Sequence, residues 1–386
     1  MVFGQKKKNN GSDFSGLTNI SFANVIPSII GGLFWLFMAR LLGVEVYGQV
    51  SYIIAIASLA TTLSGLGTGN TTLVFTAKGE KILSTTFFIS VISITLASII
   101  HFAIFHNIAA IVYIIGSAFF GLIISELLGL RAYQKYAMFS IIQRILMVGL
   151  SLGLYFLIGV NGIILGIGLS FLPFIFRIFI SLKESKINFS FLRTKLPFMM
   201  NSYTLDLRSA FAGSVDKLII VPFLGFFALG NYQLGIQIFS IMMIIPQIAY
   251  QYILPHDSKG EQKNKLKIIT ITIACCLTIL AIILSPIVMP FLFPEFSEAV
   301  TVIQIISLST IPNSIVLMYL SKYLGNEKNR IMIIGTGIYL AIQITGILVL
   351  GHLFGINGIA LAFVLASTAE SLYFFIVDKK ISDFRY

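Results

Sequence analysis

Charge is scarce in this chain. Asp, Glu, Lys and Arg together make up 11% of its 386 residues, against about 25% in an ordinary soluble domain. So few charges cannot cover a water-facing surface, and a soluble enzyme is excluded. Cysteine is nearly absent: Cys275 and Cys276 sit side by side inside an apolar run. Adjacent cysteines rarely close a structural disulfide, and this pair matches no redox or metal motif. The dipeptide Gly-Lys occurs nowhere. A Walker A phosphate loop therefore cannot form, which excludes ATP hydrolysis by this chain. Long polar loops are missing as well, and no room is left for a folded soluble domain.

What the chain has instead is apolar length. Hydrophobic residues make up 57% of it and the mean hydropathy is +0.95. Runs of about 20 apolar residues, enough to cross a bilayer as helix, predict twelve spans. They lie near 17–39, 47–66, 82–104, 108–127, 137–158, 161–181, 198–223, 231–254, 266–284, 300–321, 331–353 and 357–377. The seventh is unusual in carrying Asp206, Arg208, Asp216 and Lys217, and the ninth runs into Pro286, Pro290 and Pro294. The first is too long for a signal-peptide core and lacks a small-residue cleavage site, so it reads as a retained helix.

Loop charge gives an independent count. The N-terminal tail, the even-numbered loops and the C-terminal tail hold 21 of the 26 Lys and Arg residues, whereas the odd-numbered loops hold only Arg40. Basic residues collect on the cytoplasmic side of membrane proteins, so both termini are expected in the cytoplasm of a multi-pass plasma-membrane protein. The net charge of +11 then lies against the bilayer surface and not on a nucleic acid. External acids reduce to Glu45, Glu295 and Glu298. A membrane glycan polymerase would instead need catalytic acids in a large external loop.

The chain also repeats itself. Gly159-Val160-Asn161-Gly162-Ile163 opens the sixth span and Gly355-Ile356-Asn357-Gly358-Ile359 opens the twelfth, an offset of 196. Leu128-Gly129 and Leu324-Gly325 match at the same offset, and Leu42-Gly43 with Gly48 matches Leu224-Gly225 with Gly230 at 182. The expected architecture is all-α: two six-helix lobes of the same topology, 17–182 and 197–377. A cytoplasmic linker at 183–196 joins them, and tails cover 1–16 and 378–386. Parallel repeats of this kind occur in transporters that rock two lobes around a central site.

Two stretches carry a family resemblance. Arg40-Leu41-Leu42-Gly43-Val44-Glu45-Val46-Tyr47-Gly48 resembles the short loop after the first helix of Wzx-like polysaccharide flippases, a branch of the multidrug/oligosaccharidyl-lipid/polysaccharide (MOP) superfamily. Asp216-Lys217, followed by Gly225, Gly230 and Tyr232, resembles that family's Asp-[Arg/Lys]…Gly-x4-Gly-x-Tyr pattern. One stretch departs from it. Ser64-Gly65-Leu66-Gly67-Thr68-Gly69-Asn70 lacks the acid and the arginine often found there, so no role is transferred to it. The resemblance implies a MOP-type transporter fold and outward flipping of a lipid-linked oligosaccharide by alternating access, without ATP and without a cofactor.

Such a cargo carries a phosphate or pyrophosphate, which buried cations would receive. A charge at the centre of a membrane helix costs at least about 2.5–3.5 kcal/mol, so each one is a candidate for function. At about 1.5 Å of rise per residue, Arg208 lies roughly 15 Å into the seventh span. It reads as a phosphate contact or as the structural partner of Asp206. Arg144 lies roughly 10 Å into the fifth span and reads as a phosphate contact or a snorkelling side chain. Arg177, beyond a kink expected at Pro173, sits near a span end, as do Arg40 and Lys217. Interfacial anchoring competes with headgroup contact at all three. Asp206 could take up a proton or Na⁺, or compensate Arg208. Asp216 is a second ion-coupling candidate, with packing or gating as its other role. Glu126 and Glu370 read as paired or solvated.

The expectation is a flippase with a cationic cavity. A cation-coupled drug antiporter of the same superfamily is the first rival, and it would favour an acidic cavity. A glycan polymerase is the second.

Overall fold

In a lipid phase the backbone N–H and C=O groups have no partner except the chain itself, so the apolar runs must close their own hydrogen bonds. The computed structural model describes residues 10–80, 82–184, 187, 189–257, 263–325 and 329–383, with most side chains from Val25 onward. Among the described residues these are helices and short turns, with no strand.

The first half comprises α1 (Asn10–Gly65), α2 (Thr68–Ala77), α3 (Leu83–Phe105), α4 (Ile108–Gly129), α5 (Tyr133–Ile158), α6 (Val160–Leu169) and α7 (Phe176–Glu184). A single tight turn at Leu172–Ile175, carrying Pro173, separates α6 from α7. This is the expected kink: a proline removes one backbone donor and clashes with the preceding turn. The second half comprises α8 (Phe189–Met242), α9 (Ile244–Asp257), α10 (Asn264–Leu292), α11 (Ala299–Ser307), α12 (Thr310–Gly325) and α13 (Asn329–Asp383). Helix α8 starts inside the stretch read as linker.

Nine helical stretches among the described residues are long and apolar enough to cross a membrane. Three of them contain a glycine break: α1 at Gly43 (φ 73), α8 at Gly225 (φ 79) and α13 at Gly355 (φ 57). Division at these breaks makes twelve crossings, in register with the twelve apolar runs. A fourth glycine of positive φ, Gly159 (φ 70), turns α5 into α6. These four are the glycines paired by the sequence repeat, Gly43 with Gly225 and Gly159 with Gly355. Only glycine takes such φ values without steric cost, so the repeat preserves backbone geometry as well as letters.

The halves meet through matched glycines. A side chain at Gly48 would collide with the carbonyl of Phe226 and the amide of Gly230, and one at Gly230 with the carbonyl of Val44. Val44 and Phe226 are repeat partners, as are Gly48 and Gly230, so the contact is reciprocal. That is the mark of a two-fold axis passing between two equivalent surfaces. Further along, Gln237 Nε2 donates to the Gly32 carbonyl (3.4 Å) and Ser58 Oγ lies 3.5 Å from Ser214 Oγ. Towards the side of the basic loops, Gly67 lies against the backbone of Met199 and Tyr203, and the Tyr203 hydroxyl donates to the Leu63 carbonyl (3.0 Å). The lobes are thus closed against each other along their length. Two buried apolar clusters back this seam. One unites Met38, Tyr47 and Ile163 with Leu234 and Phe296; the other gathers Leu229, Tyr232 and Ile306.

Gly48→Val and Gly230→Val should each lower the stability of the detergent-solubilised protein by about 1–3 kcal/mol, measured as a fall in melting temperature. Unchanged melting in both would contradict the close crossing.

Candidate functional site

Small and hydroxylated residues recur at helical spacing in otherwise apolar spans: Ser58, Thr61, Thr62 and Gly65 on α1, Ser117, Gly121 and Ser125 on α4, and Asp206, Ala210, Gly213 and Ser214 on α8. Residues three and four apart share one helix face, so each set forms a polar stripe. The fold turns the three stripes towards one another. With Thr68 and Asn70 of α2 and Ser90 of α3 they line a chamber of about 540 Å³. Four lining helices, α1 to α4, come from the first half, and the fifth, α8, brings the seventh span from the second half. A movement of one lobe relative to the other therefore opens or shuts the chamber.

Hydroxyl groups bridge the walls. Thr61 Oγ1 lies 3.2 Å from Ser117 Oγ, and Thr68 Oγ1 lies 3.1 Å from Ser90 Oγ. Asp206 is the only charged residue on the described lining. Asn70 Nδ2 donates to Asp206 Oδ1 at 2.9 Å, which ties the α2 wall to the seventh span. Below this bond the two lobes are held by rings. Phe75 meets Phe198 edge-on at 5.2 Å, and the ammonium groups of Lys78 and Lys195 lie 5.0 and 4.8 Å from the Phe75 ring centre. Lys195 lies on α8 just ahead of the seventh span, so its cation–π contact crosses from one half to the other.

A second cavity, of about 400 Å³, occupies the corresponding place in the other lobe and is lined in part by Ser240, Met243, Gln247, Asn313, Leu317 and Glu370. The repeat pairs these positions with the chamber: Ser58 with Ser240, Thr61 with Met243, Gly65 with Gln247, Ser117 with Asn313 and Gly121 with Leu317. Larger side chains line the second copy. Thr336 Oγ1 donates to Glu370 Oε1 there at 3.2 Å.

The cations predicted for the cargo separate into different settings. Arg177 is paired with Glu126, Nε to Oε2 at 3.0 Å and Nη2 to Oε1 at 3.4 Å. This two-pronged pair within the first lobe satisfies both residues. Lys217 lies 3.4 Å from Asp216 and donates to the Gly213 carbonyl at 2.8 Å. The Asp216 carboxylate also accepts from the Lys217 backbone amide at 2.8 Å. Arg40 is exposed beside the first break. The Arg208 side chain lies outside the described residues. Arg144 differs from all of these. Half-buried, its guanidinium packs against Gly31 of the first span, Nη1 lies 3.5 Å from Met147 Sδ, and it forms no ion pair among the described residues.

The four described cations therefore do not converge on one lining, and the described chamber lining is hydroxyl-rich with a single acid. Sequence reasoning weighed charges and passed over the hydroxyls. It also assigned nothing to Asn70, which makes the bond to Asp206. The polar stripes at helical spacing were the signal that could have found the chamber. Among the described residues no group of three or more His, Cys, Asp or Glu side chains is placed to hold a metal.

No family model matches the chain, and no curated protein does. Solved structures do. The lipid II flippase MurJ in an inward closed conformation superposes with a TM-score of 0.77 over 93% of this chain and 87% of that one, at 15% identity. An inward-facing multidrug resistance MATE family transporter of the MOP superfamily gives 0.71 over 96% and 99%, also at 15% identity. A MOP superfamily transporter from Pyrococcus furiosus, described as having a binding pocket of reversed polarity, gives 0.66 over 99% and 100% at 13% identity. The chain thus has the MOP-type transporter fold: all-α, multi-pass and built of two lobes.

Replacing Asn70 or Asp206 with leucine should loosen the closed seam. A Ser125→Cys reporter in the chamber should then react about threefold to tenfold faster with a water-soluble thiol reagent, as expected for loss of one hydrogen bond to a charged group. An unchanged rate in both variants would show that this bond does not hold the chamber shut.

Proposed function

We propose that this protein is a flippase that carries a lipid-linked oligosaccharide or polysaccharide precursor across the plasma membrane, a secondary transporter and not an enzyme. Both termini lie in the cytoplasm, as the basic loops require. The observation that carries the reading is the chamber itself, walled by both lobes with the seventh span along one side. A cavity built across a symmetric seam is exposed to one side or the other as the lobes rock, which is alternating access. The absence of a Walker A loop from the chain fits a process that does not consume ATP here.

Arg144 is the best-supported contact for the cargo's phosphate. A half-buried guanidinium with no carboxylate beside it keeps its charge for a ligand, whereas Arg177 and Lys217 spend theirs on acids of the same chain. Arg208, two residues along the chain from the one acid on the described lining, is the second phosphate contact. Arg40 meets the headgroup as it leaves. Asp206, and less directly Asp216, couples the cycle to H⁺ or Na⁺.

One observation favours a second reading, antiport of organic cations: the one charge on the described chamber lining is a carboxylate. Transport in proteoliposomes separates the two. A fluorescent lipid-linked oligosaccharide should cross in a protein-dependent way and respond to an imposed H⁺ or Na⁺ gradient. Uptake of cationic dyes with no lipid translocation would establish the antiporter. Arg144→Ala and Arg208→Ala should each slow lipid translocation at least about tenfold, as expected when one partner of a desolvated charge pair is lost, while the protein still inserts and expresses. Normal transport by either variant would remove that residue's role.

A further inference from the structure

We infer that the hydroxyl-lined chamber receives the sugar of the cargo and not its phosphate, and that it selects a sugar rich in hydroxyl or amine donors over one bearing a carboxylate. The inference rests on the flippase reading and gives its site a chemistry.

The argument is a balance of donors and acceptors. A serine or threonine hydroxyl has one proton to give and two lone pairs to offer. For four of the lining hydroxyls the proton is given to the helix itself. Ser58 donates to the Ala55 carbonyl (3.0 Å), Thr61 to Ala57 (2.9 Å), Thr62 to Ser58 (3.1 Å) and Thr68 to Gly65 (2.7 Å). Back-bonding of this kind is the usual fate of hydroxyls in apolar helices. Lone pairs are what then remain to face the chamber. One Asn70 amide hydrogen is given to Asp206 Oδ1, and the second oxygen of that carboxylate accepts from no described residue. Among the described residues the lining is therefore rich in acceptors, with one negative charge and no positive one.

A phosphate offers only acceptors and carries charge of the same sign as Asp206. It would be left unpaired here, and a buried polar group without a partner is costly. A sugar hydroxyl or a protonated amino group brings the missing donors. A uronic acid brings a second carboxylate to the same lining. The volume, about 540 Å³, lies within the range of pockets that enclose small ligands, about 300–1,000 Å³. The other lobe shows what happens where this constraint is absent. At positions equivalent to Thr61, Gly65 and Gly121 it carries Met243, Gln247 and Leu317, bulkier side chains that leave a cavity of about 400 Å³. The phosphate is then left to Arg144, which is not on the described lining, so the two ends of the cargo are read by different groups.

The test uses the full-length protein in proteoliposomes with three glycolipids on one polyprenyl pyrophosphate carrier. They differ only in the sugar attached to the phosphate: an N-acetylhexosamine, the free hexosamine and a hexuronic acid. The wild-type protein should translocate the uronate at least about tenfold more slowly than the other two, the scale of a like-charge clash in a desolvated site. Asp206→Asn should bring the uronate to within about threefold of the neutral sugar. Equal wild-type rates for all three would overturn the inference while leaving the flippase reading in place. Translocation of none of them, with uptake of an organic cation, would overturn both. Because the wild-type ratio decides the matter, a poorly folded Asp206 variant does not blunt the test. Thr61→Val and Ser117→Val, which remove acceptors and leave the carboxylate, should slow the neutral sugar. Full activity in both would also overturn the inference.

Discussion

The structure depends on two helices crossing backbone to backbone. Lipid tails are as apolar as leucine, so burying apolar surface does not by itself drive helices together in a membrane. Association comes from close packing, and close packing needs residues without bulk. At Gly48 and Gly230 the approach is so tight that any side chain would strike a main-chain carbonyl or amide of the opposite lobe. The contact is its own mirror under the sequence repeat, so the two-fold axis must pass through it. Everything else in the seam is arranged about that point: the Gln237–Gly32 and Ser58–Ser214 contacts, and the packing of Gly67 against Met199 and Tyr203. The chamber exists because the same axis lays the seventh span across the open side of the first lobe.

Symmetry in the backbone is not carried into the side chains. The matched cavities share Ser58 and Ser240, then diverge, one lined by hydroxyls and glycines and the other by methionine, glutamine and leucine. Acids and bases divide in the same unequal way. In the first lobe Arg177 is consumed by Glu126 while Arg144 stands without a carboxylate. In the second lobe Asp257 accepts from Lys267 and Ser321, and Asp378 from Lys322 and Tyr323. A duplicated scaffold thus presents two cavities of unlike lining, one in each lobe.

Much of the fold was legible in the sequence. Apolar length marks the spans, and positive-φ glycines at equal offsets mark both the helix breaks and the repeat, because backbone geometry at those points admits no other residue. Pro173 marked its kink. The site was less legible. Charge drew attention to Arg40, Arg177 and Lys217, yet an isolated charge in a sequence does not reveal its partner. The pairing of Arg177 with Glu126 links spans four and six and cannot be read from spacing. The hydroxyl stripes were written in the helical period but resemble the serines and threonines that any membrane helix tolerates. Asn70 stood in a stretch that departs from the family pattern, and its bond to Asp206 depends on how two distant spans approach each other.

The central claim is that the lobes move as bodies about the glycine crossing. Paired spin labels test it directly, on a background lacking Cys275 and Cys276. Repeat-equivalent positions Leu157 and Leu353 report on one face, and Leu130 and Lys265 on the other. During turnover with a lipid-linked oligosaccharide, the two distances should change in opposite senses, one lengthening as the other shortens. Translocation with both distances fixed would contradict a rocking of the lobes and leave the seam as packing alone.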